Sequence, residues 1–314
     1  MCGIAGRILE ESGPIGRDLV ELMDAQVHRG ADSTGFALYG SPLESGYIVR
    51  AVGFERSRLD SDLEDFKSII RSQGCDFAVD PVADDAESRH VSVRMVVSEI
   101  SDLPKWTRAV DEISSRIEVQ SVGRSLEIIK DVGTAADVAD KHGVRDYCGT
   151  HGLGHARLAT ESSVVPTASH PFWARPFPDV AIVHNGQITN YFLLRNRLER
   201  QGYRFMTAND SELIAVWISD RMRQGQGKPE ALRKSIDEID GVFTYLIADR
   251  DSIGFAKDKW AIKPLVVMGD EREIAVATEE QAVRRIYLEE GDVVNFDGPA
   301  ITHTWPILDA REAA

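Results

Sequence analysis

Apolar positions along this chain recur in two rhythms, one near every second residue and one near every third or fourth. The first marks strands and the second amphipathic helices. Ile4–Leu9 reads as a short strand, and the stretch from Arg17 to Gln26, with apolar Leu19, Val20, Leu22 and Met23, reads as a helix. Phe36–Tyr39 is a further strand. Leu59–Ile70 has helical spacing, and Val91, Val93, Met95 and Val97 alternate with polar neighbours as a half-buried strand does. Trp106–Ile117 is amphipathic and helical, Ser125–Lys130 a strand, and Thr134–Lys141 a helix. The residues from about 54 to 150 therefore read as a compact α+β module inserted in the chain. No catalytic constellation is visible in it, and Asp80–Glu87 reads as an exposed acidic loop.

Beyond residue 150 the pattern resumes. Val180–Val183 is a short apolar strand, followed by helices over Tyr191–Gln201, Glu212–Arg223 and Glu230–Ile239. Gly241–Asp249 is rich in aromatic and β-branched residues and reads as a strand. Ile253–Lys257, Leu265–Met268, Glu273–Ala277 and Asp292–Phe296 are further strands, with a helix over Glu280–Ile286 and a tail of little pattern.

Composition narrows the picture. At 314 residues, with 43% hydrophobic and 28% charged residues, the chain suits a globular protein of one large or two small domains. A formal net charge of −15 argues against general binding of nucleic acid or anionic membranes. No apolar run approaches the ~20 residues of a membrane span, and the N-terminus lacks the basic and apolar regions of a secretory signal. The cysteines, Cys2, Cys75 and Cys148, form no CxxC pair, so a reducing cytoplasm is expected and no metal or cofactor is.

The candidate chemistry begins at Cys2. If Met1 is removed, Cys2 carries a thiol, titrating near ~8.5, and a free α-amine, titrating near ~7.7–8.0. Nucleophile and base are then covalently tethered. The plain alternative is an ordinary residue at a frayed terminus. The loop His28-Arg29-Gly30-Ala31-Asp32-Ser33-Thr34-Gly35 suggests either a site wall or a solvated Arg–Asp pair. His151 and His155 are four residues apart, but no HExxH or cysteine pair supports a metal. His184-Asn185-Gly186 follows an apolar strand. Asn-Gly there reads either as a tight hairpin turn or as an oxyanion hole, with the Asn185 amide and the Gly186 N–H as donors. Asn190 reads as a helix N-cap, and Asp210 reads either as another cap or as a site carboxylate.

Taken together these segments resemble the class II glutamine amidotransferases, which are N-terminal nucleophile hydrolases. The resemblance runs in order through Cys2-Gly3-Ile4-Ala5-Gly6, the His28–Gly35 loop, Gly154-His155-Ala156-Arg157, His170-Pro171, His184-Asn185-Gly186 and Asp210-Ser211-Glu212. It implies that Cys2 attacks the glutamine side-chain amide to form a γ-glutamyl thioester and release ammonia. It also implies that Asn185 and Gly186 form the oxyanion hole, that Arg157 binds the α-carboxylate and that Asp210 binds the α-ammonium. Thr160 and His170 are implied to line the pocket, with Arg29 bracing it. The implied fold is a four-layer α/β/β/α sandwich of mostly antiparallel sheets. Leu158 and Glu161-Ser162 depart from many members of that family, as does the length of the 54–150 stretch. Both departures are similar to stand-alone subunits related to glutamate synthase and N-methylglutamate synthase, which work beside separate flavin and iron–sulfur chains. The expectation is a glutaminase subunit of a hetero-oligomer that passes nitrogen to such a partner. Two alternatives stand beside it: a non-catalytic assembly subunit of the complex, and a hydrolase of the same fold acting on another amide.

Overall fold

The structure is a computed structural model that describes residues 2–83, 90–112, 117–158, 166–270, 272–287 and 291–307. The chain opens with β1 (Gly3–Gly13), α1 (Ile15–Asp24), β2 (Ser33–Tyr39) and β3 (Tyr47–Glu55). Then come α2 (Leu59–Ser72), β4 (Phe77–Ala83), β5 (His90–Val97), α3 (Leu103–Asp111), β6 (Glu118–Gly123), β7 (Leu126–Val132), α4 (Ala135–His142) and β8 (Gly149–Arg157). After the next described residues follow β9 (Phe172–Trp173), β10 (Ala181–Ile188), α5 (Tyr191–Arg200), α6 (Asp210–Arg223) and α7 (Lys228–Glu238). The last elements are β11 (Gly241–Asp249), β12 (Ser252–Lys257), β13 (Val266–Gly269), β14 (Ile274–Ala277), α8 (Glu280–Ile286), β15 (Val294–Asn295) and β16 (Thr302–Pro306).

Among the described residues the strands form three sheets. A seven-stranded sheet runs β15-β13-β14-β1-β8-β2-β7, a five-stranded one β16-β12-β11-β10-β9, and a four-stranded one β4-β5-β3-β6. Neighbouring strands pair antiparallel. Alternation along each strand divides the apolar residues between two faces. From the seven-stranded sheet, Ile4, Ile8, Ala37 and Leu153 share one apolar cluster with Val183, Leu246 and Ala248 of the five-stranded sheet. Its other face, with Ala5, Phe36 and Leu38, packs on Leu19, Leu22 and Met23 of α1, Val138 of α4 and Val283 of α8. The other face of the five-stranded sheet, with Ile182, Phe243, Tyr245 and Ile247, packs on α5, α6 and α7. This explains why Gly241–Asp249 is apolar almost throughout: both of its faces are covered.

Buried polar groups tie the two larger sheets together. On β8, His151 Nε2 lies 2.8 Å from the Asp249 carbonyl and His155 Nε2 lies 3.1 Å from the His184 carbonyl. Tyr39 donates its hydroxyl hydrogen to the Ala248 carbonyl at 2.9 Å. The two histidines read from their spacing as possible metal ligands are thus cross-sheet donors, and among the described residues no group of side chains is arranged to hold a metal.

Of the 54–150 stretch, residues up to Gly123 belong to the four-stranded sheet with α2 and α3, whereas β7 and α4 join the seven-stranded sheet and its helical face. Glu127 on β7 receives Arg50 Nε of β3 at 2.9 Å and Arg94 Nε of β5 at 2.8 Å. Burial pushes the Glu127 carboxyl up, but the two guanidiniums bring it below its ordinary value. Buried Asp179 accepts the backbone N–H groups of Arg124, Ser125 and Leu126 at 2.9–3.0 Å, pinning the turn between β6 and β7 to the segment before β10.

Several local readings need correction. The Trp106 helix begins at Leu103, because Asp102 caps it through Lys105 N, and its described part ends at Asp111. Trp106 is fully buried in the shared core. Residues 77–83, read partly as acidic loop, form β4, and 84–87 lie outside the described residues. The patternless tail supplies β16, the edge of the five-stranded sheet. Asn190 precedes α5 without capping it; its side chain instead bonds the Glu238 carbonyl and the Asp240 N–H. No helix among the described residues is long and apolar enough to cross a membrane.

Candidate active site

Cys2 sits half-buried where β1 enters the seven-stranded sheet. Two residues on, the Ile4 N–H donates to Thr278 Oγ1 at 2.9 Å and the Ile4 carbonyl accepts Thr278 N–H at 3.0 Å, which fixes the start of the strand. The Cys2 carbonyl is held from two sides. Arg29 Nε donates to it at 3.2 Å and Asn185 Nδ2 at 3.0 Å. The buried Arg29 guanidinium is also paired through Nη1 with Glu279. Burial pushes the Glu279 carboxyl up, but bonds from Arg29, His28 and Gln281 bring it below its ordinary value. Gly30 lets this loop approach β8 closely, since a Cβ there would stand 2.3 Å from the Arg157 carbonyl carbon.

A cleft of about 290 Å³ opens beside Cys2, lined in part by Arg157, His170, His184, Asn185, Gly186, Asp210 and Lys263. It therefore contains every site residue expected from the sequence except two. Arg29 is committed to the Cys2 carbonyl and Glu279, and Thr160 lies outside the described residues. Asn185 and Gly186 do not make a hairpin turn. They lie within β10, in continuous register with Thr244 and Phe243 of β11. The Asn185 amide uses one N–H on the Cys2 carbonyl, so the other remains for a ligand. Gly186 has φ +155°, and a Cβ there would stand 2.0 Å from the Val242 carbonyl oxygen, so only glycine fits.

Asp210 does not cap α6. The Asn209 side chain does, accepting Ser211 N–H at 2.9 Å. This leaves the Asp210 carboxylate to face the cleft, where Oδ2 accepts Ile188 N–H at 3.0 Å. Burial opposes its charge, but His184 and the Ile188 N–H bring its pKa below the ordinary value. Buried Glu212 shapes the approach to α6 by accepting the N–H groups of Met206 at 2.7 Å and Thr207 at 2.8 Å.

Behind Asp210 lies a group that sequence reasoning did not assign. Ser211 Oγ is 2.9 Å from His184 Nδ1, 3.2 Å from His170 Nε2 and 3.4 Å from Asp210 Oδ1. His170 Nδ1 accepts the His184 N–H at 3.2 Å, which assigns the proton of neutral His170 to Nε2, pointing at Ser211. His155 stacks on His170 with ring centroids 3.9 Å apart. Burial pushes His155 down to about 3 and holds His170 well below its ordinary value. The signal was present in the triplets His184-Asn185-Gly186 and Asp210-Ser211-Glu212, but only the fold shows that their flanking members meet. Lys263, also not assigned, reaches the cleft because Asp258 turns the preceding loop by accepting Trp260 and Ala261 N–H groups.

The formal charges of the described lining are thus Arg157 and Lys263 on one side of the balance and Asp210 on the other. A fixed cation and a fixed anion beside a thiol suit a small amide substrate with an amino-acid head.

Comparison with known proteins agrees. The glutamine amidotransferase domain family matches residues 155–285. A provisionally named glutamine amidotransferase of Methanothermobacter thermautotrophicus is 34% identical over 290 residues, 91% of this chain and 94% of that one. The glutamine amidotransferase-like protein GlxB of Rhizobium meliloti is 31% identical over 317 residues, the full length of both. In fold, the chain resembles the glutamine phosphoribosylpyrophosphate amidotransferase from B. subtilis, with a TM-score of 0.56 at 18% identity. That match covers 98% of this chain but only 49% of the solved one.

The site generates one prediction that needs no substrate. His155 and His170 are expected to stay neutral from pH 8 to pH 5, so their imidazole nitrogen shifts in NMR should remain flat. A titration midpoint near the ordinary ~6.5 for either ring would refute the assigned network.

Proposed function

This chain belongs to the glutamine amidotransferases, and from that membership we propose that it hydrolyses L-glutamine through a Cys2 thioester and hands the ammonia to a synthase on another chain. The observation that carries this reading is the Asn185–Cys2 contact, which sets an amide donor beside the nucleophile in the cleft shared with Arg157 and Asp210. The α-amine of Cys2 takes the thiol proton as the sulfur attacks the side-chain carbonyl of glutamine. The resulting oxyanion is received by the second Asn185 N–H and the Gly186 N–H. The amine then protonates the departing nitrogen, ammonia leaves, and a γ-glutamyl thioester remains. Water, deprotonated by the same amine, hydrolyses it to glutamate and restores the thiol.

Arg157 is assigned to the substrate α-carboxylate and Asp210 to the α-ammonium, with His170 in the wall, Thr160 near the mouth, and Arg29 as the brace of Cys2. In the same reading the seven- and five-stranded sheets are the inner layers of an α/β/β/α stack, and about 54–150 is the inserted stretch, of which the part up to Gly123 forms the four-stranded unit. The synthase is proposed to be of glutamate synthase or N-methylglutamate synthase type, with flavin and iron–sulfur groups on its own chains. The departures at Leu158 and Glu161-Ser162 and the long 54–150 stretch support that choice.

Three tests follow from this mechanism. Protein whose intact mass shows Cys2 at the N-terminus should release ammonia from glutamine, whereas protein retaining Met1 or a tag should not; full activity with Met1 in place would remove the α-amine from the mechanism. Replacing Asn185 by Ala should lower kcat by roughly 10²–10³, or ~2.7–4 kcal/mol, with little change in KM. A raised KM at unchanged kcat would instead make Asn185 a ground-state contact. Purification of the tagged protein (tag at the C-terminus) from its native host should recover a flavin- and iron-bearing chain that accelerates glutamine hydrolysis. Recovery of a partner lacking both groups would overturn the synthase type while leaving the glutaminase intact.

A further inference from the structure

A second cleft, of about 400 Å³, lies between α3, the segment after β9, the loop joining α5 to α6, and the end of α6. It shares no described lining residue with the Cys2 cleft. Its volume lies within the ~300–1,000 Å³ typical of small-molecule sites. In a chain of net charge −15, its described lining holds Arg108, Arg175, Arg204 and Arg223 and no carboxylate.

These four guanidiniums are not equivalent. Arg175 is buried and donates through Nη2 to the Val119 carbonyl at 2.7 Å. Arg223 lies 3.2 Å from Asp220, which stands behind the cleft and also accepts the Tyr203 hydroxyl at 2.6 Å. Arg108 and Arg204 are exposed, and neither has an ion-pair or hydrogen-bond partner among the described residues. Two guanidiniums lining one cleft whose described lining holds no carboxylate favour an anion there. The planar fork of arginine matches phosphate oxygens two at a time.

Two aromatic rings and two prolines form part of the remaining wall, beside Thr107, Gln201 and Gly202. Phe177 and Tyr203 lie with ring centroids 6.0 Å apart, and Pro104 and Pro176 complete this side. The Arg223 guanidinium covers the Tyr203 ring at 5.4 Å, which fixes the ring's orientation. A phosphate pocket beside an aromatic wall selects a ligand that has both a dianionic group and a planar ring. We propose that this cleft binds a nucleoside monophosphate, with its phosphate between Arg108 and Arg204 and its base against Phe177 and Tyr203. The inference stands apart from the glutaminase reading, since none of its residues takes part in that chemistry. Its position has a consequence for the whole chain. A ligand there would join α3 of the four-stranded unit to the loop that leads into α6, and so to the element that carries Asp210.

The test is calorimetric titration of the full chain at low salt with AMP, GMP, CMP and UMP, and with inorganic phosphate. At least one nucleotide should bind saturably and about tenfold or more tightly than phosphate, because the ring contributes as well as the charge. The doubly substituted R108A/R204A protein should lose about tenfold or more in that affinity, with an unchanged circular dichroism spectrum. Both side chains are exposed, so the variant is expected to fold. Absence of saturable binding across the panel would overturn the proposal. So would equal affinity of phosphate and every nucleotide, or undiminished binding by the variant.

Discussion

The hydrogen bond from Asn185 Nδ2 to the Cys2 carbonyl is the contact on which the site depends. Cys2 enters the seven-stranded sheet and Asn185 belongs to the five-stranded one, so the bond joins the two residues across two separate sheets. A bond of 3.0 Å between side chain and backbone cannot align two sheets by itself. Its geometry is inherited from a stack of longer-range constraints: the apolar cluster shared by the two sheets, and the carbonyls of His184, Ala248 and Asp249 bonded by His155, Tyr39 and His151. On the other side of Cys2, Arg29 holds the same carbonyl and is itself held by Glu279, the residue after the threonine that anchors Ile4. Cys2 is therefore positioned through its backbone carbonyl, which leaves its side chain uncommitted among the described residues.

That division explains what could be read in advance. Periodicity located elements whose faces are decided locally: Gly241–Asp249 and Glu280–Ile286 match residue for residue. Ordered short motifs located the cleft residues, because chemistry restricts residue type wherever the fold puts them. Where two readings stood open, contacts outside the local pattern chose between them. Asn185-Gly186 has the composition of a hairpin turn, yet β11 holds it in a strand. Asp210 has the position of a cap, yet Asn209 takes that task and releases it to the cleft. Ser211 carries no signal of its own; its meaning arises only where His170, His184 and Asp210 converge on it.

The four-stranded unit is bound to the rest by charge as well as by apolar contact. Glu127 is nearly inaccessible and accepts from Arg50 and Arg94, so removing either side of the contact within the folded chain would leave the burial of the other less compensated. Asp179 does the same with three backbone N–H groups at the turn between β6 and β7. Interactions of this kind specify orientation more than they add stability, because each charge must be desolvated before it can pair. A unit fixed in orientation can present a surface reproducibly, which a unit on flexible linkers cannot.

The electrostatics of the cleft follow from the same economy of charge. An amino-acid substrate brings an ammonium and a carboxylate, and each must find its own counter-charge with no competitor nearby. His155 and His170 lie against the cleft and could supply competing cations. Burial keeps both neutral, and the His155 ring stacked on His170 makes protonation of His170 less favourable still. Neutral His170 can then donate to Ser211, and Ser211 can turn its own hydrogen toward Asp210. The carboxylate is thus held from behind by the Ser211 hydroxyl and the Ile188 N–H, with the His184 ring 3.5 Å away, and its remaining side faces the cleft. A cationic group entering the cleft therefore meets a carboxylate already in place, and little reorganisation is needed to pair with it.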